Sequence, residues 1–166
     1  LYFSAISENL VESELFGHVK GGFTDAVKSR SGLFEAAGQG TLFLDEVASL
    51  SLAAQAKLLL AIESGKIRRV GGSKDLSTNV RIIAAANQDL RKMISEGQFR
   101  EDLFHRLDLL RISIPPLSRR GKDLPKLADH FLKALSQKYR LPKPQMDDSF
   151  QKYLCHHSWP GNIREL

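Results

Sequence analysis

The stretch Gly40–Glu46 constrains this sequence most, because a short, mostly apolar run is followed at once by two adjacent acids. The run is Thr41–Leu44, with glycines before it and Asp45 and Glu46 after it. Its length and continuity predict a strand buried on both faces of a parallel sheet. Open α/β sheets bind ligands at the carboxyl ends of their strands. We therefore expect both acids to lie at a ligand-binding edge.

Two acids at such an edge suit metal-assisted hydrolysis. Asp45 would hold Mg²⁺, directly or through water, and Glu46 would orient or deprotonate an attacking water. The plainer alternative is a pair of solvated acids that cap the next helix.

The loop that normally cradles phosphates is not found in this sequence. A Walker A loop reads Gly-x-x-x-x-Gly-Lys-Ser/Thr, and Gly71–Lys74 has the wrong spacing and follows the acidic strand. We expect such a loop upstream, roughly 30 residues before Ser4, and we expect no ATPase activity from this fragment alone.

Helix and strand patterns alternate along the rest of the chain. We predict helices over 7–16, 51–63 and 146–157, shorter ones starting near 89 and 98, strands over 80–85 and 110–114, and a hairpin or loop pair over 64–79. The alternation indicates a parallel α/β core, and the helical end indicates a second subdomain. A boundary near Pro115 and Pro116 gives predicted domains 4–116 and 117–166.

Composition limits the class of protein further. The chain has 166 residues, a net charge of +5 and a single cysteine, Cys155, so neither an intrachain disulfide nor a cysteine zinc cage is expected. No apolar run approaches the roughly 20 residues that span a membrane, and we expect a cytoplasmic protein without a membrane partner. Basic clusters at 66–69 and 119–122 leave a nucleic-acid-binding module as an alternative, although interleaved acids favour solvated surfaces.

A series of motifs then resembles one known family. In chain order they are Glu14–His18, Lys20–Ala26, Gly40–Glu46, Phe99–Leu107, Pro115–Leu117, Arg119–Asp123 and Trp159–Leu166. Together they cover residues 4 to 166 and resemble the central AAA+ ATPase domain of sigma-54-dependent transcription activators.

The resemblance implies an α/β fold: a parallel-sheet AAA+ core of the P-loop type, truncated upstream, followed by a small α-helical lid. It implies ATP-dependent remodelling of sigma-54 RNA polymerase, with ATP and Mg²⁺ as cofactors. It also implies a homo-oligomeric ring, expected to be a hexamer, and contact with promoter or enhancer DNA through a domain outside this chain. The alternative within the class is a general AAA+ remodelling ATPase that does not act on sigma-54.

The resemblance also assigns roles to single residues. These are Asp45 and Glu46 as the Walker B pair, Asn87 as sensor I, Arg100 and Arg106 as arginine fingers, and Arg164 as sensor II. Where the family often has Thr, this sequence has Ala86. From the residues alone, Asn87 could instead cap the helix that starts near Asp89. The two fingers could instead form surface ion pairs with Glu101, Asp102 or Asp108.

A glycine-rich loop would be the contact with sigma-54. The resemblance places this contact at Gly21, Gly22, Phe23, Thr24, Asp25 and Ala26, with Phe23 and Thr24 as the working residues. Gly22 and Asp25 depart from the family pattern, which has Ala and Gly there. Flanking glycines allow an exposed aromatic ring to protrude and dock on a partner. The alternative is an ordinary core phenylalanine beside a turn.

Overall fold

The computed structural model describes residues 8–23 and 26–166. It divides into two compact units, one ending at Arg111 and the other beginning at Ile112. The helices are α1 (Glu8–Phe16), α2 (Leu33–Ala37), α3 (Leu52–Ser64), α4 (Leu90–Ser95), α5 (Glu101–Leu107), α6 (Leu124–Tyr139) and α7 (Asp148–His156). The strands are β1 (Thr41–Leu44), β2 (Lys66–Arg68), β3 (Asp75–Ser77) and β4 (Arg81–Ala84). Among the described helices, none is both long and apolar enough to cross a membrane.

The strand predicted after Gly40 forms and pairs in parallel with β4, so that Leu44 lies opposite Ala84. Burial alternates along it: Leu42 and Leu44 face the core, whereas Phe43 is half-exposed. The expectation of burial on both faces is therefore wrong for the described structure. Successive strand residues point to opposite faces, and in the described part of the chain the core covers one of those faces.

Local signals place the neighbouring elements correctly. The Ser51 hydroxyl accepts a hydrogen bond from the Ala54 amide at 3.2 Å and caps α3. Gly65 ends the helix in a left-handed conformation that glycine adopts without strain. The predicted hairpin is confirmed by the antiparallel pairing of β2 with β3. The helix predicted from residue 7 begins at Glu8 in the structure, and Ser7 lies outside the described residues.

The core of the first unit packs α1, α2, α3 and α5 against one face of the small parallel sheet. Phe16 and Phe34 stack at a centroid distance of 5.5 Å, and both are almost fully buried. Leu58 of α3 and Leu103 of α5 have no exposed surface at all. Full burial of side chains of this size stabilises the fold by roughly 1.5–3 kcal/mol each, which fixes the sheet edge relative to the helices.

The predicted strand over 110–114 is wrong. Residues 111–116 have no regular secondary structure, and Leu110 and Ile112 are 91% and 88% exposed. A strand exists only where a neighbouring segment completes its ladder of hydrogen bonds. In the described residues no segment pairs with this one, so its β propensity alone is not enough.

The second unit is helical, as expected for a lid. Leu117, Leu124 and Leu154 are almost completely buried around Trp159, whose indole N–H donates to the Leu154 carbonyl at 2.8 Å. The helix predicted over 146–157 is confirmed as α7, and the Asp147 carboxylate caps it. The exact domain limits, 4–116 and 117–166, remain a prediction.

Candidate active site

The two acids that follow β1 lie at the carboxyl edge of the parallel pair, and both are partly buried. The ladder continues past the strand ends: the Ala85 amide donates to the Leu44 carbonyl at 2.8 Å, and the Val47 amide donates to the Ala85 carbonyl at 3.0 Å. The turn that contains Asp45 and Glu46 is thus bonded to the neighbouring strand on both sides. This bonding holds the two carboxylates to a rigid element, as an accurate site requires.

Glu46 occupies a left-handed backbone conformation, with φ 56° and ψ 45°. For a residue with a Cβ this conformation costs on the order of 1–3 kcal/mol, and such strain clusters at functional sites. Ser49 holds the turn closed, because its amide and its hydroxyl both donate to the Glu46 carbonyl, at 2.9 and 2.8 Å. The Glu46 amide in turn donates to Asp45 Oδ1 at 3.1 Å.

Asn87 follows β4 and reaches the same edge as the two acids. Its Nδ2 donates to Glu46 Oε1 at 3.5 Å, the long limit of a hydrogen bond. The interpretation of Asn87 as a helix cap is wrong, because Asp89 caps α4 by accepting from the Arg91 and Lys92 amides. The structure therefore brings together three residues predicted from two distant segments.

The capping alternative for the acids also fails. The residue that caps α3 is Ser51, several positions downstream. Glu46 precedes the short 3-10 turn Val47–Ser49, but its side chain makes no capping hydrogen bond there. Neither carboxylate therefore caps a helix in the described structure.

Arg100 and Arg106 both form ion pairs within the chain. The Arg100 guanidinium binds Asp102 through two hydrogen bonds, at 3.0 and 2.6 Å, and this contact holds the pKa of the Asp102 carboxyl below its usual range. Arg106 Nε donates to Glu63 at 2.9 Å, a partner that the sequence interpretation did not foresee. Both pairs are largely exposed, and exposed ion pairs are weak because water and salt screen them, so either arginine exchanges its partner at low cost.

The glycine-rich loop is closed by its own backbone. The Gly21 amide donates to the Ala26 carbonyl at 2.8 Å, and the Ala26 amide donates to the Phe23 carbonyl at 3.0 Å. Phe23 is partly buried rather than a core residue. Thr24 and Asp25 lie outside the described residues.

His18 lies at the base of this loop, and sequence reasoning missed its structural importance. Its ring packs edge-on against the ring of Phe23, at a centroid distance of 5.0 Å. One ring nitrogen is 2.7 Å from the Ser13 hydroxyl and the other is 2.7 Å from the Lys28 carbonyl. His18 therefore joins α1 to the returning limb of the loop. The sequence signal was its position at the end of Glu14–His18, immediately before the loop.

The β2–β3 hairpin supports the same loop. The Val19 amide donates to the Val70 carbonyl at 3.1 Å, and a Cβ built on Gly22 would lie 2.6 Å from that same carbonyl oxygen. A glycine at position 22 is therefore suited to this close approach of two backbones. Arg69 of the hairpin binds Glu35 of α2 through two hydrogen bonds, at 2.9 and 2.6 Å.

Arg164 is an exposed residue of the second unit and lines a cavity of about 720 Å³. Arg120 and Pro116 line the same cavity. Asn162 shapes its wall, because its side-chain oxygen accepts a hydrogen bond from the Leu117 amide at 2.8 Å. Two arginines thus lie along one cavity built from two separate segments, and Arg120 Nε also donates to Asp123 at 3.0 Å.

A parallel sheet edge that carries an Asp–Glu pair and an asparagine, followed in the chain by a small helical unit, is typical of AAA+ ATPases. Within that class the chain belongs to the sigma-54 interaction domain family, which matches residues 1–113. The AAA+ ATPase lid domain family matches residues 118–166.

Comparisons with known proteins agree with this assignment. The anaerobic nitric oxide reductase transcription regulator NorR of Enterobacter sp. (strain 638) is 49% identical over 163 residues, which is 98% of this chain and 32% of that protein. The NorR of Citrobacter koseri is 48% identical over 163 residues, which again is 98% of this chain and 32% of that protein. The chain therefore spans about a third of the length of these curated relatives.

Solved structures give the same result. A crystal structure of NtrX from Brucella abortus in complex with ATP has a TM-score of 0.89 and 36% identity. The match covers 99% of this chain and 35% of the NtrX chain. The complex of the same protein with ADP has a TM-score of 0.88 and 37% identity, with 99% and 36% covered. These matches confirm the predicted α/β fold, and neither a general remodelling ATPase nor a basic nucleic-acid-binding module is favoured.

Proposed function

We propose that the protein containing this chain hydrolyses ATP at the edge formed by Asp45 and Glu46, and uses the energy to remodel sigma-54 RNA polymerase and activate transcription. The observation that carries this proposal is the meeting of Glu46 with Asn87 at the end of two parallel strands. Membership of the sigma-54 interaction domain family supports the partner. The solved complexes of NtrX with ATP and with ADP support the nucleotide.

The residues present fit a magnesium site. Mg²⁺ is usually held by one or two carboxylates, with water and substrate phosphates completing its shell, and Asp45 offers a partly exposed carboxylate at the edge. When bound, Mg²⁺ neutralises charge on the phosphates. Asp45 would hold the ion, while Glu46 accepts the proton of the attacking water. Asn87 orients the Glu46 carboxylate through its amide and senses the terminal phosphate.

The arginines complete the proposed reaction. Arg100 and Arg106 act as fingers on the nucleotide of a neighbouring subunit, which requires a homo-oligomeric ring, proposed to be a hexamer. A guanidinium stabilises charge on a transferring phosphoryl group, and the low cost of exchanging a surface partner allows each to leave its carboxylate. Arg164 contacts phosphate from the lid.

The loop Gly21–Ala26 would carry the conformational change to sigma-54, with Phe23 and Thr24 in contact with the partner. The support for this task is that the loop is closed by short backbone bonds and braced by His18 and the β2–β3 hairpin. Promoter or enhancer DNA would be bound by a domain outside this chain. A transcription regulator of this kind would act in the cytoplasm.

The experiment that tests the site replaces Glu46 by Gln in the intact protein. This change keeps the shape of the side chain and removes the base, so ATP should still bind while turnover falls by about 100-fold or more. Glu96→Gln, at the exposed C-cap of α4, is the matched control and should retain full activity, since the ion pair of its side chain in the described structure is with Lys92 at 3.8 Å, away from the site. An equal loss of binding and turnover in Glu46→Gln would show that Glu46 is structural.

A further inference from the structure

Gln55 is a polar residue without any exposed surface, and it lies on the buried side of α3. Its side-chain amide makes three hydrogen bonds, all to the backbone of other segments. Nε2 donates to the Leu50 carbonyl at 2.7 Å and to the Gln98 carbonyl at 3.1 Å. Oε1 accepts from the Arg100 amide at 2.8 Å. Both N–H groups and the oxygen of the amide are thus used.

Burial of such a group has a cost that packing alone does not explain. Moving an amide into an apolar interior is unfavourable unless all its polar atoms find partners, and an apolar residue of the same length would fill the space without that risk. A fully bonded buried polar group fixes one geometry of the segments it joins. The role of Gln55 is therefore to fix the relative positions of the segments that it joins.

One end of this network belongs to the turn that carries the catalytic carboxylates. Leu50 closes the 3-10 turn that follows Glu46, because its amide donates to the Val47 carbonyl at 3.2 Å. The Glu46 carbonyl is bonded within the same turn, to Ser49. One short hydrogen-bonded turn thus joins Leu50, the acceptor of the Gln55 amide, to Glu46.

The other end belongs to the segment that leads into α5. Gln98 and Arg100, the two residues bonded by Gln55, flank Phe99, which is 2% exposed and anchors the segment in the core. Arg100 itself is the residue immediately before α5. Its guanidinium is at the surface while its amide is held in the interior by Gln55.

We propose that Gln55 is a positioning residue that couples the turn carrying Glu46 to the backbone of Arg100. Within one subunit, the Glu46 carboxylate and the Arg100 guanidinium then move together. Because Arg100 acts on the nucleotide of the next subunit, the state of one nucleotide site is transmitted to the next site around the ring. This inference rests on the proposed function, in which Arg100 acts in trans.

The test uses the intact protein with Gln55→Met, which matches the length of the side chain and removes all three hydrogen bonds. We expect kcat to fall about 100-fold, because misplacement of a catalytic group by about 1 Å has that effect, with KM for ATP changed less than about threefold. The control is Gln151→Met in α7, where one amide bond to the Met146 carbonyl is lost, and its kcat should stay at the parental level.

Mixed rings separate coupling from simpler roles. Gln55→Met subunits are mixed with Glu46→Gln subunits, which have a sound finger and an inactive site, and separately with Arg100→Ala subunits, which have a sound site and no finger. If Gln55 couples both ends, neither mixture recovers activity. Recovery with Glu46→Gln would show that only the finger depends on Gln55, and recovery with Arg100→Ala would show that only the site does. Either recovery overturns the coupling.

Two further measurements keep the result decisive. A mixture of Glu46→Gln with Arg100→Ala must recover activity by itself, and its failure would refute the proposed trans function and not the role of Gln55. Gln55→Glu retains the acceptor for the Arg100 amide and loses both donated bonds. It should therefore recover activity with Arg100→Ala and not with Glu46→Gln. A general loss of stability would not produce this asymmetry, so equal results in the two mixtures would contradict the proposal.

Discussion

Replacement of Phe23 by Ala distinguishes a partner-binding loop from a piece of core. The ring is partly buried and its described aromatic contact is the edge-on packing against His18, which is worth about 0.5–1.5 kcal/mol beyond area burial. With the partial burial added, we expect a loss of about 1–2 kcal/mol, against about 3–5 kcal/mol for a fully buried phenylalanine. Phe34, which stacks on Phe16 in the core, supplies that reference in the same protein.

Thermal melting measures this difference. A loss of 1 kcal/mol lowers the Tm by roughly 2–4 °C in a domain of this size. Phe23→Ala should therefore lower the Tm by about 2–8 °C, and Phe34→Ala by about 6–20 °C. ATP turnover by Phe23→Ala should remain close to the parental rate, because Asp45 and Glu46 lie on a different element.

Binding to sigma-54 supplies the functional half of the test. An aromatic anchor at an interface commonly contributes 2 kcal/mol or more, so Phe23→Ala should weaken sigma-54 binding by roughly 30-fold. Transcription from a sigma-54 promoter in a reconstituted system should be abolished. If Phe23→Ala lowers the Tm as far as Phe34→Ala does, and hydrolysis falls with it, then Phe23 is a core residue and the loop assignment is wrong.

Two other predictions concern the ring and the support of the loop. Intact subunits with Arg106→Ala, mixed with subunits carrying Glu46→Gln, should recover partial ATPase activity if Arg106 acts in trans; a mixture that co-assembles and stays inactive would contradict this role. Arg69 hydrogen bonds lower the pKa of Glu35 in the folded chain. The pair therefore stabilises the fold above the unfolded Glu pKa of about 4.3, and this contribution is lost as the pH falls below that value. Urea unfolding from pH 7 to pH 3 should show a shallower acid-induced loss of stability in Glu35→Gln than in the parent, and superimposable curves would refute the argument.

Much of the fold followed from local signals. The apolar run after Gly40, the serine before α3 and the aspartate before α4 each specify an element through its own neighbours. The short helix Leu33–Ala37 was not identified, because five residues between glycines carry too little periodicity to stand out. The predicted strand over 110–114 failed for the opposite reason: its residues have β propensity, but propensity does not supply a pairing partner.

The candidate site likewise has features that the sequence predicted and features that it did not. Adjacency in the sequence was enough to join Asp45 to Glu46, and it was enough to predict that their strand would end at a ligand-binding edge. The partner of Arg106 was not predictable, because Glu63 is far away in the sequence and meets it only when α3 packs on α5.

What the sequence determined by itself was therefore the class of protein, most of its elements and the acids after β1, since these depend on residue types at short spacing. The tertiary structure alone decided that Asn87 meets Glu46, that His18 braces Phe23 and that Gln55 joins Leu50 to Arg100. In each of these contacts a side chain reaches across a turn or between two packed elements. That orientation is set by packing of the whole core, and no local pattern of residues encodes it.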